Sequence, residues 1–341
     1  MKHRLLTQPP DAEVAAKWER MLADAPFATH YCTPNYFKDP FLRGEPFAVL
    51  AEKGNGEIAG VLTGIWDRDK AVSGLFVRPQ TVFGRDINVD EASSAFLEGI
   101  CDLYEGKPSL VELFSWQQVP GLINLGMSER EARDAMCVVV LDLSLGADQL
   151  FAEFSQTRRN EIRKALKQNT LEIKELDTSD ELEQMYEIHV DWCRRKGHDP
   201  NTVEQMQMTV EQRENRRTFI AKSEGKVIAA SFYRFCLGGM VEYAGNCSIP
   251  EYQKLRPNDL IGWFAIQWAS SEGFRHFSMG GSHLFLRRFG GELMQTYRYR
   301  RDYSRLKLHD LREQTWELSL GVYKRLPPNV RANVKKVLVK Q

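Results

Sequence analysis

The chain reads as an α/β (α+β) protein built from two similar units, each a mixed central sheet flanked by helices. Three observations lead there. Short apolar, β-branched segments alternate with segments whose apolar residues recur at helical spacing along all 341 residues. One theme also occurs twice: AEKGNGEIAGVLTG (51–64) and AKSEGKVIAASFYR (221–234) each read strand, glycine turn, strand, and each is followed by a third strand and a helix. The length suits two domains of ordinary size. The expected boundaries are 1–145 and 146–310 for the two units, and 311–341 for a basic helical tail.

In the first unit, residues 45–66 form a hairpin around Gly-Asn-Gly, and KAVSGLFVRP (70–79) is a third strand ended by Pro79. Residues 90–105 show helical spacing, and SLVELFSW (109–116) and MCVVVLDL (136–143) are further strands. Between the units, Leu150, Phe151, Phe154, Ile162 and Leu166 recur at helical spacing over 142–170, and Arg158, Arg159, Arg163, Lys164 and Lys167 form a basic stripe there. The stripe is either a solvated face or a contact for an anionic substrate or RNA phosphates. In the second unit, 216–235 is a hairpin, GGMVEYAGNCS (238–248) a third strand and PNDLIGWFAIQWASSEG (257–273) a helix capped by Asn258 or Asp259. RHFSM (275–279) and LMQTYRYRRDY (293–303) are its fourth and fifth strands.

The 46 basic and 46 acidic side chains cancel, so no global field draws the chain to nucleic acid or membrane. Six cysteines (32, 101, 137, 193, 236, 247) lack metal-ligand spacing, which speaks against zinc or a disulfide framework and for mostly buried thiols. No metal is expected. MKHRLLTQPPDAEVAAKW has no signal-peptide core, and the apolar runs are strand-sized. The expectation is a cytoplasmic protein, with work at the inner face of a membrane left open.

The stretch FSMGGSHLFLRRFGG (277–291) is the densest local signal, with Gly280, Gly281 and Ser282 in a turn that would let backbone approach a phosphate. It ends a series. TRRNEIRKALKQ (157–168), HVDWCRRKGH (189–198), EGKVIAASFYRF (224–235), VEYAGNCS (241–248), LRPNDLIGWFAIQWASSEGF (255–274) and this stretch occur in that order. Together they resemble the second domain of the FemAB-like proteins, a branch of the GNAT acyltransferase superfamily with BioF2-like members. The resemblance covers 142–305 well and the first half more loosely, through its hairpin and FVRPQTVFGRDI (76–87).

The resemblance implies two tandem GNAT-like units and transfer of an aminoacyl group from tRNA, or of an acyl group, to an amine of an envelope precursor. It places Arg195 near precursor phosphates, a task that suits a planar guanidinium. The usual CoA turn is replaced by QKLRPNDL (253–260), where Arg256 and Asn258 stand for glycines and Pro257 removes a donor. In the final loop, Ser278 stands where the family has an acid and Leu286 where it has a lysine thought to steady acyl or phosphate oxygens; Arg287 or Arg288 would supply the cation instead.

Amide formation also needs a base for the attacking ammonium. Alternation puts Glu242, Ala244 and Asn246 on one face of their strand and Val241, Tyr243 and Gly245 on the other. Glu242 is the candidate if its face opens to the cleft, and a structural salt bridge is the alternative. His283 is a second candidate base. Tyr243 either donates a hydrogen bond or packs. Arg158 and Arg159 are further candidates for substrate contact.

The leading reading is an acyl- or aminoacyltransferase acting on an amine of a cell-envelope, polysaccharide or lipid precursor, with no permanently bound cofactor. Its donor is aminoacyl-tRNA, or acyl-CoA or acyl-carrier protein in an N-acyltransferase of an amino-sugar or amino-lipid. The acceptor is a small molecule, a sugar nucleotide or a lipid-linked precursor. A catalytically inactive precursor-binding protein is the reading from another class. No GxSxG elbow is present, so attack is direct. The tail carries Lys324, Arg325, Arg331, Lys335, Lys336 and Lys340 with no acid after Glu317. It suits an anionic membrane surface or tRNA.

Overall fold

A computed structural model describes residues 1–104, 108–133 and 136–325; of the tail, Arg331, Lys335, Lys336 and Lys340 lie outside these. The first half runs β1 (Lys2–Leu6), α1 (Ala12–Leu22), β2 (Glu45–Glu52), β3 (Ile58–Asp67), β4 (Lys70–Leu75), β5 (Arg78–Pro79), β6 (Thr81–Phe83), α2 (Val89–Cys101), β7 (Leu110–Ser115), α3 (Pro120–Asn124), β8 (Ser128–Glu131) and β9 (Val138–Asp142). The second half runs α4 (Ala147–Glu153), α5 (Gln156–Gln168), β10 (Glu172–Glu175), α6 (Ser179–Lys196), α7 (Val203–Glu211), β11 (Arg216–Ser223), β12 (Lys226–Phe235), β13 (Met240–Ser248), α8 (Pro257–Ser271), β14 (His276–Ser278), α9 (Leu284–Arg287), β15 (Glu292–Met294), β16 (Tyr297–Asp302) and α10 (Leu308–Arg325).

The two sheets have one topology. The first is ordered β1-β2-β3-β4-β7-β16-β8 and the second β10-β11-β12-β13-β14-β9-β15. In each, four strands in antiparallel succession end on one parallel neighbour, β4 beside β7 and β13 beside β14. The duplicated hairpin theme is thus a duplicated sheet. The sixth position departs from the sequence reading: β9, from the first half, lies between β14 and β15, and β16, from the second half, lies between β7 and β8. Periodicity reports that a segment is extended, not which sheet edge it joins, so Leu293–Met294 of LMQTYRYRRDY joins the second sheet as expected while Tyr297–Asp302 joins the first. The segment splits into β15 and β16 around Gln295–Thr296.

One large core lies under the second sheet, where Phe154, Phe219, Tyr233, Phe277 and Phe289 pack against α8; a smaller one packs Phe47, Phe96 and Tyr299 between α2 and the first sheet. Five of the six cysteines are buried, used as small apolar groups. Two local readings need correction. Leu166 is exposed, because α5 buries only Arg158, Ile162 and Ala165. Neither Asn258 nor Asp259 caps α8: Arg256, in the left-handed region, is the N-cap, and Pro257 begins the helix because its fixed φ suits the first turn. Among the described residues, no helix is long and apolar enough to cross a membrane.

Candidate active site in the cleft between the units

The site begins where two parallel strands part. β13 and β14 pair only over Met240–Glu242 and His276–Ser278, and β13 continues through Tyr243–Ser248 with β12 on one side and its other edge unpaired. The sequence after β14 forces the parting. Ser278 Oγ accepts from the Gly280 amide at 3.2 Å, turning the chain, and Gly280 takes φ +67° directly under the Tyr243 carbonyl, where a Cβ would collide. In the first sheet the matching notch is filled by β6, which pairs with β3 at Gly60–Leu62 and reaches β7 at Ser115. Only the second unit keeps the unpaired edge, and this half-paired stretch of β13 is the lone strand of the site.

A register shift reshapes that strand. Phe232 pairs with Gly245 but Tyr233 with Tyr243, so Ala244 is an extra residue. The expected alternation therefore breaks. Glu242 faces the same way as Arg234 and Asn246 the same way as Ser231, on opposite faces of the sheet. A one-residue bulge is invisible to period-2 counting.

The lone strand looks onto a cleft between the units. One cavity of about 390 Å³ is lined by Ala244, Gly245 and Asn246 of β13, Phe232 and Arg234 of β12, His189 and Trp192 of α6, and Phe41 and Arg43 from the first unit. A second, of about 490 Å³, is lined by Tyr31, Asp39, Ile65, Val72 and Arg78 of the first unit and again by Phe41, Arg43 and Arg234. The two cavities share a wall in which both polar side chains are arginines. Neither Arg43 nor Arg234 has a carboxylate within ion-pair distance among the described residues. Arg234 lies 5.0 Å from the Tyr31 ring and 5.4 Å from Phe41, and burial pushes its pKa down despite the field of Glu242. A half-desolvated cation without a partner is costly, and a bound anion would offset that cost.

The cleft walls are pinned by buried charge pairs across the units. Asp39 Oδ2 lies 2.9 Å from Arg216 Nη2 and 3.2 Å from His30 Nε2, with His30 and Arg216 fully buried. Glu242 Oε1 accepts from Arg78 Nε and Nη2, both at 2.7 Å. Gln205 and Gln212 donate to the carbonyls of Pro40 and Lys38.

The expected site residues separate into groups. Glu242 lies on the cleft side with Arg234, but it is buried and held by Arg78, so it is not a free base; the structural salt bridge is what forms. Arg195 and Asn258 converge on Ser248 at the end of β13, through Arg195 Nη2 to the carbonyl (2.8 Å) and Asn258 Nδ2 to Oγ (3.3 Å), leaving the buried Asn258 Oδ1 without a partner. Tyr243 packs 5.9 Å from Tyr233, and burial pushes its hydroxyl up. Asn246 lines the first cavity.

Arg158 is not a substrate contact. It is 1% exposed, pairs with Asp259, donates to the Phe285 carbonyl and lies between the Phe285 and Phe289 rings at 4.3 and 4.2 Å. Arg159 ties α5 to the end of α4 through the Phe154 carbonyl at 2.6 Å. The basic stripe is therefore partly internal, because burial of Ile162 and Ala165 carries Arg158 inward with them.

In the final loop Leu286, at the family's lysine position, is 2% exposed in the core. Arg287 follows about 100° round α9, is exposed and donates to the Ser282 carbonyl at 2.6 Å. Arg288 is half-buried, with no carboxylate within ion-pair distance among the described residues. His283 is the exposed N-cap of α9, stacked on Phe285, and Ser282 is buried below it. Gly281 accepts from the Val139 amide at 3.0 Å, tying the loop to β9.

Sequence reading missed Arg43, Arg234, Arg78 and Phe41. Arg234 had a signal: it is a cation inside the apolar run SFYRF, on a strand expected to be buried. Arg43 and Phe41 had none, since a loop far away in sequence brings them to the cleft.

The N-terminus of α8 bears on the donor. Its third residue is Asp259, Pro257 removes one N–H, and Arg256 pairs with Glu161 at 2.8 Å. The first turn of α8 thus lacks one N–H donor and carries a carboxylate, ion-paired with Arg158, beside the N–H groups that would bind a pyrophosphate.

Residues 152–301 match the family model described as an acetyltransferase (GNAT) domain. No curated protein sequence matches the chain. Among solved structures, the chain is similar to FemX, with TM-score 0.67 and 12% identity over 87% of this chain and 97% of that one. It is also similar to the C-terminal domain of a lysylphosphatidylglycerol synthetase from Agrobacterium fabrum (TM-score 0.60, 9% identity, 90% and 97% covered). A tandem GNAT protein from the clavulanic acid biosynthesis pathway follows (TM-score 0.52, 9% identity, 89% and 99% covered). Residues 152–301 thus match the GNAT acetyltransferase domain, and the whole chain has the fold shared by FemX and a tandem GNAT protein.

Proposed function

We propose that this chain is an acyl- or aminoacyltransferase that forms an amide on an amine of an anionic cell-envelope, polysaccharide or lipid precursor, held in the cleft between the units. The observation that carries this is the pair Arg43 and Arg234, without carboxylate partners, in the wall shared by two cavities beside the lone part of β13. A phosphate or carboxylate of the acceptor would sit between them, and its amine would reach β13 near Ala244–Asn246. The names of two structural neighbours, FemX and a lysylphosphatidylglycerol synthetase, agree with envelope chemistry.

Catalysis rests on positioning and on amides near the reacting carbonyl rather than on a covalent intermediate. His189 is not a free base: burial pushes its pKa down, and its Nε2 accepts the Asn201 amide at 3.2 Å. The α8 N-terminus, short of one N–H donor at Pro257 and carrying Asp259, favours aminoacyl-tRNA or another carrier over a donor whose pyrophosphate must bind there. The test is amide formation on an envelope-precursor extract, followed by mass spectrometry, with charged tRNA or acyl-CoA supplied in turn. An RNase-sensitive product is expected. A product from acyl-CoA alone would overturn the donor assignment, and no product from either donor would overturn the transferase reading.

A further inference from the structure

The last helix is amphipathic in the inverted sense. Its acids face the protein: Asp310 pairs with Arg300 (2.9 Å), Glu313 with Arg298 (2.7 Å) and Arg130 (2.9 Å), and Glu317 with Arg130 and Arg133. A row of its apolar side chains faces outward. Leu308, Leu311, Leu318 and Val322 recur at spacings of three, four and seven and are 54–73% exposed, with Trp316 beside them at 63%. A helix on a globular domain normally buries its apolar stripe and solvates its charges. Here the arginines of β16 and β8 hold the charged side down, and a row of large apolar groups is left uncovered.

The charge around that row identifies what covers it. Every acid of the helix is engaged with the body. Arg312 and Arg325 lie outside those pairs, and the sequence continues from Arg325 as LPPNVRANVKKVLVKQ, with four more Lys and Arg and no acid. Apolar side chains flanked by cations, with no anion on the outward side, match an anionic lipid surface. We propose that α10 is a membrane-docking helix, which seats Leu311, Trp316, Leu318 and Val322 in the headgroup layer of an anionic bilayer while Arg312 and Arg325 meet its headgroups. This surface is separate from the cleft and does not depend on the identity of the acyl donor.

Sedimentation of the full chain with vesicles tests this. Strong binding is expected to vesicles of equal parts phosphatidylglycerol and phosphatidylcholine, at least tenfold weaker binding to pure phosphatidylcholine, and weakening with salt. The double variant Leu311→Glu, Leu318→Glu is expected to lose binding about tenfold or more with an unchanged melting temperature, because both side chains face solvent. A variant with Arg312 and Arg325 changed to Gln should lose part of the binding and part of its salt dependence. Three results would overturn the proposal: equal binding to both vesicle types, a dimer in solution that the Leu→Glu changes dissociate, or tRNA binding through α10 with no vesicle binding.

Discussion

Arg234 shows how one side chain links packing to function. Its guanidinium lies near two aromatic rings, faces no carboxylate at ion-pair distance and is partly desolvated. Arg234→Ala is expected to raise the acceptor KM by roughly 10-fold or more through loss of a charge-assisted bond, while the melting temperature holds or rises. Steady-state kinetics and a thermal melt on one preparation check this; a large fall in stability with unchanged KM would assign the residue to packing alone. Leu286 makes the opposite point. Restoring the family's lysine with Leu286→Lys buries an ammonium in the core, so a loss of about 3 kcal/mol of stability without gain of activity is expected. Denaturant melts and the transfer assay decide it; a gain in rate would show that the loop swings to bring position 286 into the cleft.

Between elements, Arg158 clamps three pieces at once: α5 carries it, Asp259 of α8 pairs with it, and the Phe285 and Phe289 rings of the glycine-rich loop enclose it. Removing one member of a buried pair leaves the other charge unpaired, so Arg158→Ala should cost about 3–5 kcal/mol. The double variant Arg158→Met, Asp259→Leu should recover much of that, because it removes both charges and keeps volume. Urea denaturation of both variants separates the cases. If the double change is as damaging as the single one, the pair is not the clamp. The bulge at Ala244 belongs to this scale too, since one added residue turns Asn246 to the face opposite Glu242.

At the scale of the whole molecule, the units are fastened by exchanged strands and buried charges. A fragment ending at 145 lacks β16 and one starting at 146 lacks β9, so each leaves an open slot inside its sheet. Neither is expected to give a dispersed, cooperatively melting spectrum alone, whereas co-expression should; a well-folded single fragment would contradict the exchange. The buried His30 adds a pH dependence. Desolvation pushes its pKa down to about 4, against 6.5 when unfolded. Between those values the unfolded chain binds the extra proton, so stability rises with pH from 4 to 6.5 and the loss on acidification is on the order of 3 kcal/mol. Burial pushes the Asp39 carboxyl up, but His30 and Arg216 outweigh it and its net shift is down, so it removes further stability only below pH 3.8. His30→Gln should flatten the stability profile from pH 6.5 to 4; an unchanged slope would locate the titration elsewhere.

Local pattern determined much by itself. Period-2 alternation and glycine turns located the hairpins of β2–β3 and β11–β12, the duplicated theme announced two sheets of like strand order, and the ordered motifs from Thr157 to Gly291 carried the resemblance to a GNAT domain. These are properties of neighbours along the chain, which periodicity and turn chemistry record. Tertiary structure alone decided the rest: which sheet takes β9 and β16, the inward turn of Arg158, the pairing of Glu242 with Arg78, and the meeting of Arg43 with Arg234 across the cleft. Each depends on contacts between residues more than a hundred positions apart or on a one-residue shift in register, and the burial that selects them exists only once the two sheets have closed on each other.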